Sequence, residues 1–168
     1  MKTRLVLLVV AIIGFSSASF AQATATATAT ATVVTPISIS KNADMSFGNI
    51  AVSASSGGTV VLATAGTRTS TSGVTLPATA GTVSAASFTV NGTGSYTYAI
   101  TLPGSVTLTH TNGVDVMTAS SFTSNPSGTG ALTSGTQNVA VGATLTVAAG
   151  QVAGVYTSGN FNVTVNYN

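Results

Sequence analysis

The chain has no cysteine, no tryptophan and one histidine, and charged residues make up only 4% of its 168 positions. Without cysteine, disulfides and thiolate metal sites are excluded, so the fold must hold by packing and hydrogen bonds. His110, Asp44 and Asp115 are the only histidine and carboxylates. A nucleophilic triad, a paired-carboxylate site or a three-ligand metal site would have to use nearly every one of them, and no motif joins them. The expectation is therefore no enzyme, no catalytic residue, no metal and no cofactor. His110 lies just before an Asn112-Gly113 turn, where a solvent-facing strand-end role is the default. Lys41 and Asp44 flank a turn before Met45 and read as surface or capping residues.

Charge is scarce against the roughly 25% of an ordinary soluble domain. Such a surface lacks the repulsion that keeps monomers apart, which favours self-association. The N-terminus carries much of the little charge there is. Lys2 and Arg4 precede an apolar run, Leu5 to Phe15, and Ser19-Phe20-Ala21 forms a small-x-small site. These features predict a signal peptide over 1–21, cleaved between Ala21 and Gln22. The apolar run is shorter than the roughly 20 residues of a membrane span, and no later segment qualifies, so no transmembrane anchor is expected. Export to the periplasm, cell surface or medium follows. Beyond Gln22 the charges are Lys41, Arg68, Asp44 and Asp115, which balance and offer nothing to nucleic acid or an anionic membrane.

What is abundant is Thr, Ala, Val, Ser and Gly. Behind the signal, Ala and Thr alternate strictly from Ala23 to Thr32 and run on into Val33 and Val34. Side chains of a strand alternate between faces, so Ala23, Ala25, Ala27, Ala29, Ala31 and Val33 form one apolar stripe and the threonines a hydroxylated one. Residues 22–35 read as one extended strand reaching roughly 45 Å at about 3.3 Å per residue. A flat hydroxyl lattice of the type ice-binding surfaces use would need several strands, and one strand does not make it.

Pro36 marks a strand boundary, and residues 36–168 read as one β-domain. Strands are expected at Ile37 to Ser40, Met45 to Val52, Thr59 to Thr64, Gly73 to Leu76, Ala86 to Val90, Tyr96 to Leu102, Val106 to His110, Val114 to Phe122, Gln137 to Ala148 and Phe161 to Tyr167. Asn91-Gly92 and Asn112-Gly113 each predict a hairpin. In the last strand, Phe161, Val163, Val165 and Tyr167 share the core face. Gly92-Thr93-Gly94 and Gly128-Thr129-Gly130 lack the third glycine and the following helix of a phosphate loop, and read as turns. No window has a 3.6-residue apolar period, and strands recur every 8 to 12 residues or so, which predicts an antiparallel β-sandwich. An outer-membrane barrel is the competing all-β reading; short strands, missing aromatic girdles and a terminal Asn168 speak against it.

The leader with Thr35-Pro36-Ile37, the stretch Met45-Ser46-Phe47-Gly48-Asn49-Ile50, the run Val141 to Val147 and the close Gly154 to Tyr167 together resemble the bacterial exported proteins grouped as domain of unknown function 4402. That family has no settled activity. Phe47-Gly48, the Gly-x-Tyr at 154–156 and the Val-x-Val-x-Tyr at 163–167 also resemble spore-coat-protein-U and archaic chaperone–usher pilin subunits. This second resemblance implies an incomplete immunoglobulin-like subunit, polymerised by donor strands with a periplasmic chaperone and an outer-membrane usher as partners. Here the odd face of Ala23 to Val33 would enter the neighbour, although alanines offer smaller plugs than is usual in pilins. The expectation is a structural subunit of a surface fibre, pilus or coat. Two readings stand beside it: a monomeric binding module whose N-terminal strand completes its own sandwich, and an amyloid-like matrix protein.

Overall fold

The computed structural model describes residues 21–168, in two units divided between Val33 and Val34. The signal features Lys2 to Phe20 lie outside the described residues. Of the first unit, residues 21–33 are exposed and carry no ladder pairing. The expected long strand is thus not formed among residues 21–33, because a segment with no neighbour has nothing to exchange ladder hydrogen bonds with.

The second unit is all β among the described residues. Its strands are β1 Ser38–Ala43, β2 Ser46–Phe47, β3 Ala51–Val52, β4 Gly58–Leu62, β5 Arg68–Ser70, β6 Val74–Thr75, β7 Val83–Ser84, β8 Ala86–Asn91, β9 Thr97–Thr101, β10 Ser105–His110, β11 Val116–Asn125, β12 Thr129–Ala131, β13 Thr136–Val147, β14 Tyr156–Ser158 and β15 Thr164–Tyr167. All pairings are antiparallel. The large sheet runs β1-β8-β13-β11-β10-β14, with β4 attached to β13 and β5 to β4. The long β13 organises it. Its first half pairs with β8 and its second half with β4, while β11 lies along the other edge. A smaller sheet runs β12-β9-β15, and the two-stranded pairs β2-β7 and β3-β6 complete a sandwich-like arrangement.

Strand alternation builds the core. Val139, Val141, Ala143, Leu145 and Val147 on β13 are all buried, as are Val60, Leu62, Phe88 and Val90. Two clusters result. One joins Phe88, Val90, Val139 and Val141 to Tyr98, Ile100, Leu132 and Val165 of the smaller sheet and its approaches, and the other gathers Phe47, Val60, Leu62, Val74, Ala119 and Leu145. The opposite face of the large sheet is uncharged. Register places Thr107, Thr118, Thr146 and Thr59 in one row across four strands. Lys41 and Arg68 fall opposite the buried Phe88 and Leu62 and so belong to the other face.

Two expectations need correction. Asn91-Gly92 makes no hairpin, because β8 belongs to the large sheet and β9 to the small one; the Gly92 amide instead bonds to the Gly135 carbonyl at 2.9 Å. Met45 to Val52 is not one strand. It breaks into β2 and β3 at Gly48, whose φ of 67° interrupts the extended backbone beside Ala80. Asn112-Gly113 does close the β10–β11 hairpin, with Gly113 at φ 77° and the His110 amide on the Asp115 carbonyl at 2.8 Å.

Candidate functional site

The small sheet is too narrow to cover the large one. Where its cover ends, the inner face of the large sheet opens into a groove of about 1400 Å³. The floor carries Ile39, Phe88, Leu108, Met117, Phe122 and Leu145; one wall is Met45 to Val52 and the other Gln151 to Val163. Most of the floor is bulky, so apolar side chains rise from it.

The second wall continues into β15. There the expected alternation is found: Val165 is buried and Phe161, Val163 and Tyr167 pack against the same cluster, while Asn160, Asn162, Thr164 and Asn166 are exposed. The ladder is shorter than the pattern. Only Thr164–Tyr167 pairs with β9, and Phe161 to Val163 pairs with nothing among the described residues. The Asn168 amide donates to the Thr97 carbonyl at 3.2 Å. By antiparallel alternation the even residues then serve β9, and the peptide groups of Val163, Val165 and Tyr167 turn to the unoccupied edge.

Each wall is fastened by one side chain: Arg68, which stands in the sequence only as one of its few charges, and His110, expected to face solvent at a strand end. Arg68 on β5 donates to the carbonyls of Phe47, of Asn49 at 2.7 Å and of Ala80 at 3.3 Å, so one guanidinium gathers three backbone acceptors. His110 holds the other wall. Its Nδ1 accepts the Asn112 amide at 3.1 Å, its Nε2 meets the Ala153 carbonyl at 3.2 Å, and its ring lies 4.8 Å from that of Tyr156. With Nδ1 accepting, Nε2 carries the proton and donates to Ala153. Gly154 permits this contact, since a Cβ there would stand 2.0 Å from Nε2. The Tyr156 hydroxyl in turn donates to the Val152 carbonyl at 2.8 Å.

The ionisable groups are not brought together for chemistry. Asp44 pairs with Lys41 at 2.6 Å, both largely exposed at the end of β1, and Asp115 accepts from the Asn112 side chain at 2.6 Å within the β10–β11 turn. Among the described residues no group of three His, Cys, Asp or Glu could hold a metal ion. Gly94 and Gly128 sit in turns at φ 49° and 67°, and neither is followed by a helix. Ala21, Gln22, Ala23, Ala25, Ala27, Ala29, Ala31 and Val33 are all exposed. No helix among the described residues is long and apolar enough to cross a membrane.

A third cluster lies at the far end of β15. The Tyr167 hydroxyl donates to the Thr35 carbonyl at 2.9 Å and accepts the Thr93 amide at 2.7 Å, while the Thr35 amide donates to Thr93 Oγ1 at 2.8 Å. Gly92 makes room for it, since a Cβ there would stand 2.2 Å from the hydroxyl. Neither the groove nor this clasp was legible as a site. Their residues are spread from Thr35 to Tyr167, and only the fold collects them.

No curated protein and no solved structure matches the chain. A family model does, over residues 37–167, which takes in every strand from β1 to β15 and leaves the Ala-Thr leader outside. The chain belongs to the family described as a domain of unknown function, DUF4402.

Proposed function

We propose that the protein is a structural subunit of a bacterial surface fibre, pilus or coat, in which the leader Ala23 to Val33 of one copy fills the groove of the next. The observation that carries this reading is the groove itself, whose apolar floor ends at Val163, where the open edge of β15 begins. An extended segment that passes along the open edge at Tyr167, Val165 and Val163 and on into the groove would extend the ladder and cover the floor, which is β-augmentation. The leader has the matching pattern. Its alanine stripe suits a floor from which Phe88, Phe122 and Leu145 already rise, because small side chains let the incoming backbone come close. An immunoglobulin-like subunit lacking one strand, a periplasmic chaperone that guards the groove and an outer-membrane usher belong to the same reading, as does export through the N-terminal signal.

The energetics place the attraction in the backbone. Each buried methyl contributes about 0.8 kcal/mol, well below a buried Leu, whereas every ladder bond made adds about 0.5 to 1.5 kcal/mol. The test is a paired substitution. Ala27→Asp puts an unpaired carboxylate into the apolar groove, a penalty of several kcal/mol, and should abolish multimers. Thr28→Asp faces the other way and should keep them. Equal multimerisation of the two, by analytical sedimentation and electron microscopy, would reject the donor role. A stable monomer whose domain unfolds when the leader is deleted would favour the self-completing binding module instead.

A further inference from the structure

We propose that the Thr35–Thr93–Tyr167 clasp directs the leader to a second copy by preventing it from turning back into its own groove, an inference that rests on the donor-strand reading above. The argument begins with position. The clasp lies beside Gly92 and Tyr167, at the end of the domain where β1 starts opposite Asn91. The groove begins further along the same strands. It takes in Phe88 but not Val90, and Val163 but neither Val165 nor Tyr167. Strand β1 therefore runs from the clasp toward the groove, with Lys41, Ala43 and Asp44 lining it. The shortest return of the leader into its own groove, lying directly against β1, reverses direction between Thr35 and Ser38.

That reversal is blocked twice. Pro36 holds its φ near −65° and biases Thr35 to extended backbone. The tight reversals that match strand twist need a positive φ at the first central position, which proline does not reach, and the turns that accept proline there splay the strands. The clasp supplies the second block. Both peptide groups of Thr35 are already engaged, its amide by Thr93 Oγ1 at 2.8 Å and its carbonyl by the Tyr167 hydroxyl at 2.9 Å. Thr93 Oγ1 also donates to that carbonyl at 3.4 Å. These bonds join the root of the leader to the last strand of the sandwich, so the leader's point of departure is fixed to the body that carries the groove.

The experiment compares the full chain with Tyr167→Phe and Thr93→Val. Both keep ring or β-branched bulk while removing clasp hydroxyls. Multimer length is measured by sedimentation velocity and electron microscopy, with folding checked by circular dichroism. Tyr167→Phe removes one bond to Thr35 and Thr93→Val removes two, and each bond lost should raise the ratio of closed monomer to open donor about fivefold, so the folded variants should give shorter multimers and more monomer. Adding Pro36→Asn and Ile37→Gly to Thr93→Val installs a hairpin turn and should push the chain further toward closed monomer. Unchanged length distributions in folded Tyr167→Phe and Thr93→Val would overturn the clasp proposal while leaving the donor reading standing. Failure of the unmodified chain to multimerise at all would instead remove the donor reading, and the clasp proposal with it.

Discussion

Replacing Arg68 should destabilise the domain well beyond what a surface arginine would. The side chain is half-buried and reaches three carbonyls on two loops, Phe47 and Asn49 on one and Ala80 on the other. The loops are also joined directly, through the Asn49 amide to the Ala80 carbonyl at 2.7 Å. Among the described residues the one ion pair is Lys41 with Asp44, so Arg68 acts on peptide dipoles. Hydrogen bonds from a charged donor contribute about 1.5 to 3 kcal/mol each, and partial solvent access places these at the low end. Arg68→Met keeps the stem and removes the donors, and with three such bonds should cost about 4 to 5 kcal/mol. Arg68→Lys offers a point charge without the fork, and should recover roughly half of that. For a domain of this size about 3 to 5 °C of Tm accompanies each kcal/mol, so Met should lower Tm by roughly 15 to 20 °C. Thermal denaturation followed by circular dichroism, at fixed protein concentration, measures it. A Tm for Arg68→Met within about 2 °C of the unmodified protein would refute the clamp, since that is the range of an exposed substitution.

Gly154→Ala should loosen the wall held by His110, because φ is 149° there and the new Cβ would collide with Nε2. Combining it with His110→Ala should be less than additive in urea unfolding, the mark of a direct contact. Tyr98 has no exposed surface and donates to Gln137 Oε1 at 2.7 Å, and burial raises its phenol above the ordinary 10.0. The folded state then holds this proton longer than the unfolded one. Its contribution is complete below about pH 10 and is lost as pH rises through the raised value, so alkaline denaturation should begin there and Tyr98→Phe should flatten that slope. Absorbance at 295 nm should show one of the four tyrosines ionising only with unfolding.

Much of the architecture was legible because strand alternation is a local property. Gln137 to Ala148 reads as one long strand and is found at Thr136–Val147, and the inward set Phe161, Val163, Val165 and Tyr167 is found on the core. The strands that escaped notice, among them β7 at Val83–Ser84 and β14 at Tyr156–Ser158, are two or three residues long. A period of two needs more residues than that to show. Asn-Gly misled at position 91 and informed at 112 for a related reason. The dipeptide specifies a turn, but whether the next strand pairs with the last or crosses to another sheet depends on partners far along the chain: β13 and β1 for β8, β12 and β15 for β9.

The candidate site was hidden for a deeper reason, which bears on how such a subunit could work. A groove is a deficit of cover, and no local pattern encodes a deficit. What the sequence does encode is the donor segment proposed for it, an Ala-Thr run with strand alternation and little side-chain bulk. A leader with Leu or Phe on its odd face would gain roughly 1.5 to 3 kcal/mol per buried side chain. The same apolar stripe would also associate with any exposed strand edge before it met its groove. Alanine lowers that hazard, and it shifts the attraction to peptide groups that pair only with an open edge such as Val163 to Tyr167. The bulk needed to fill the space stands on the floor instead, in Phe88, Phe122 and Leu145. On the proposed donor reading, dividing the work in this way would keep the leader from associating while it is free. Specificity would then reside in the edge and in the direction set by the hydrogen bonds at Thr35.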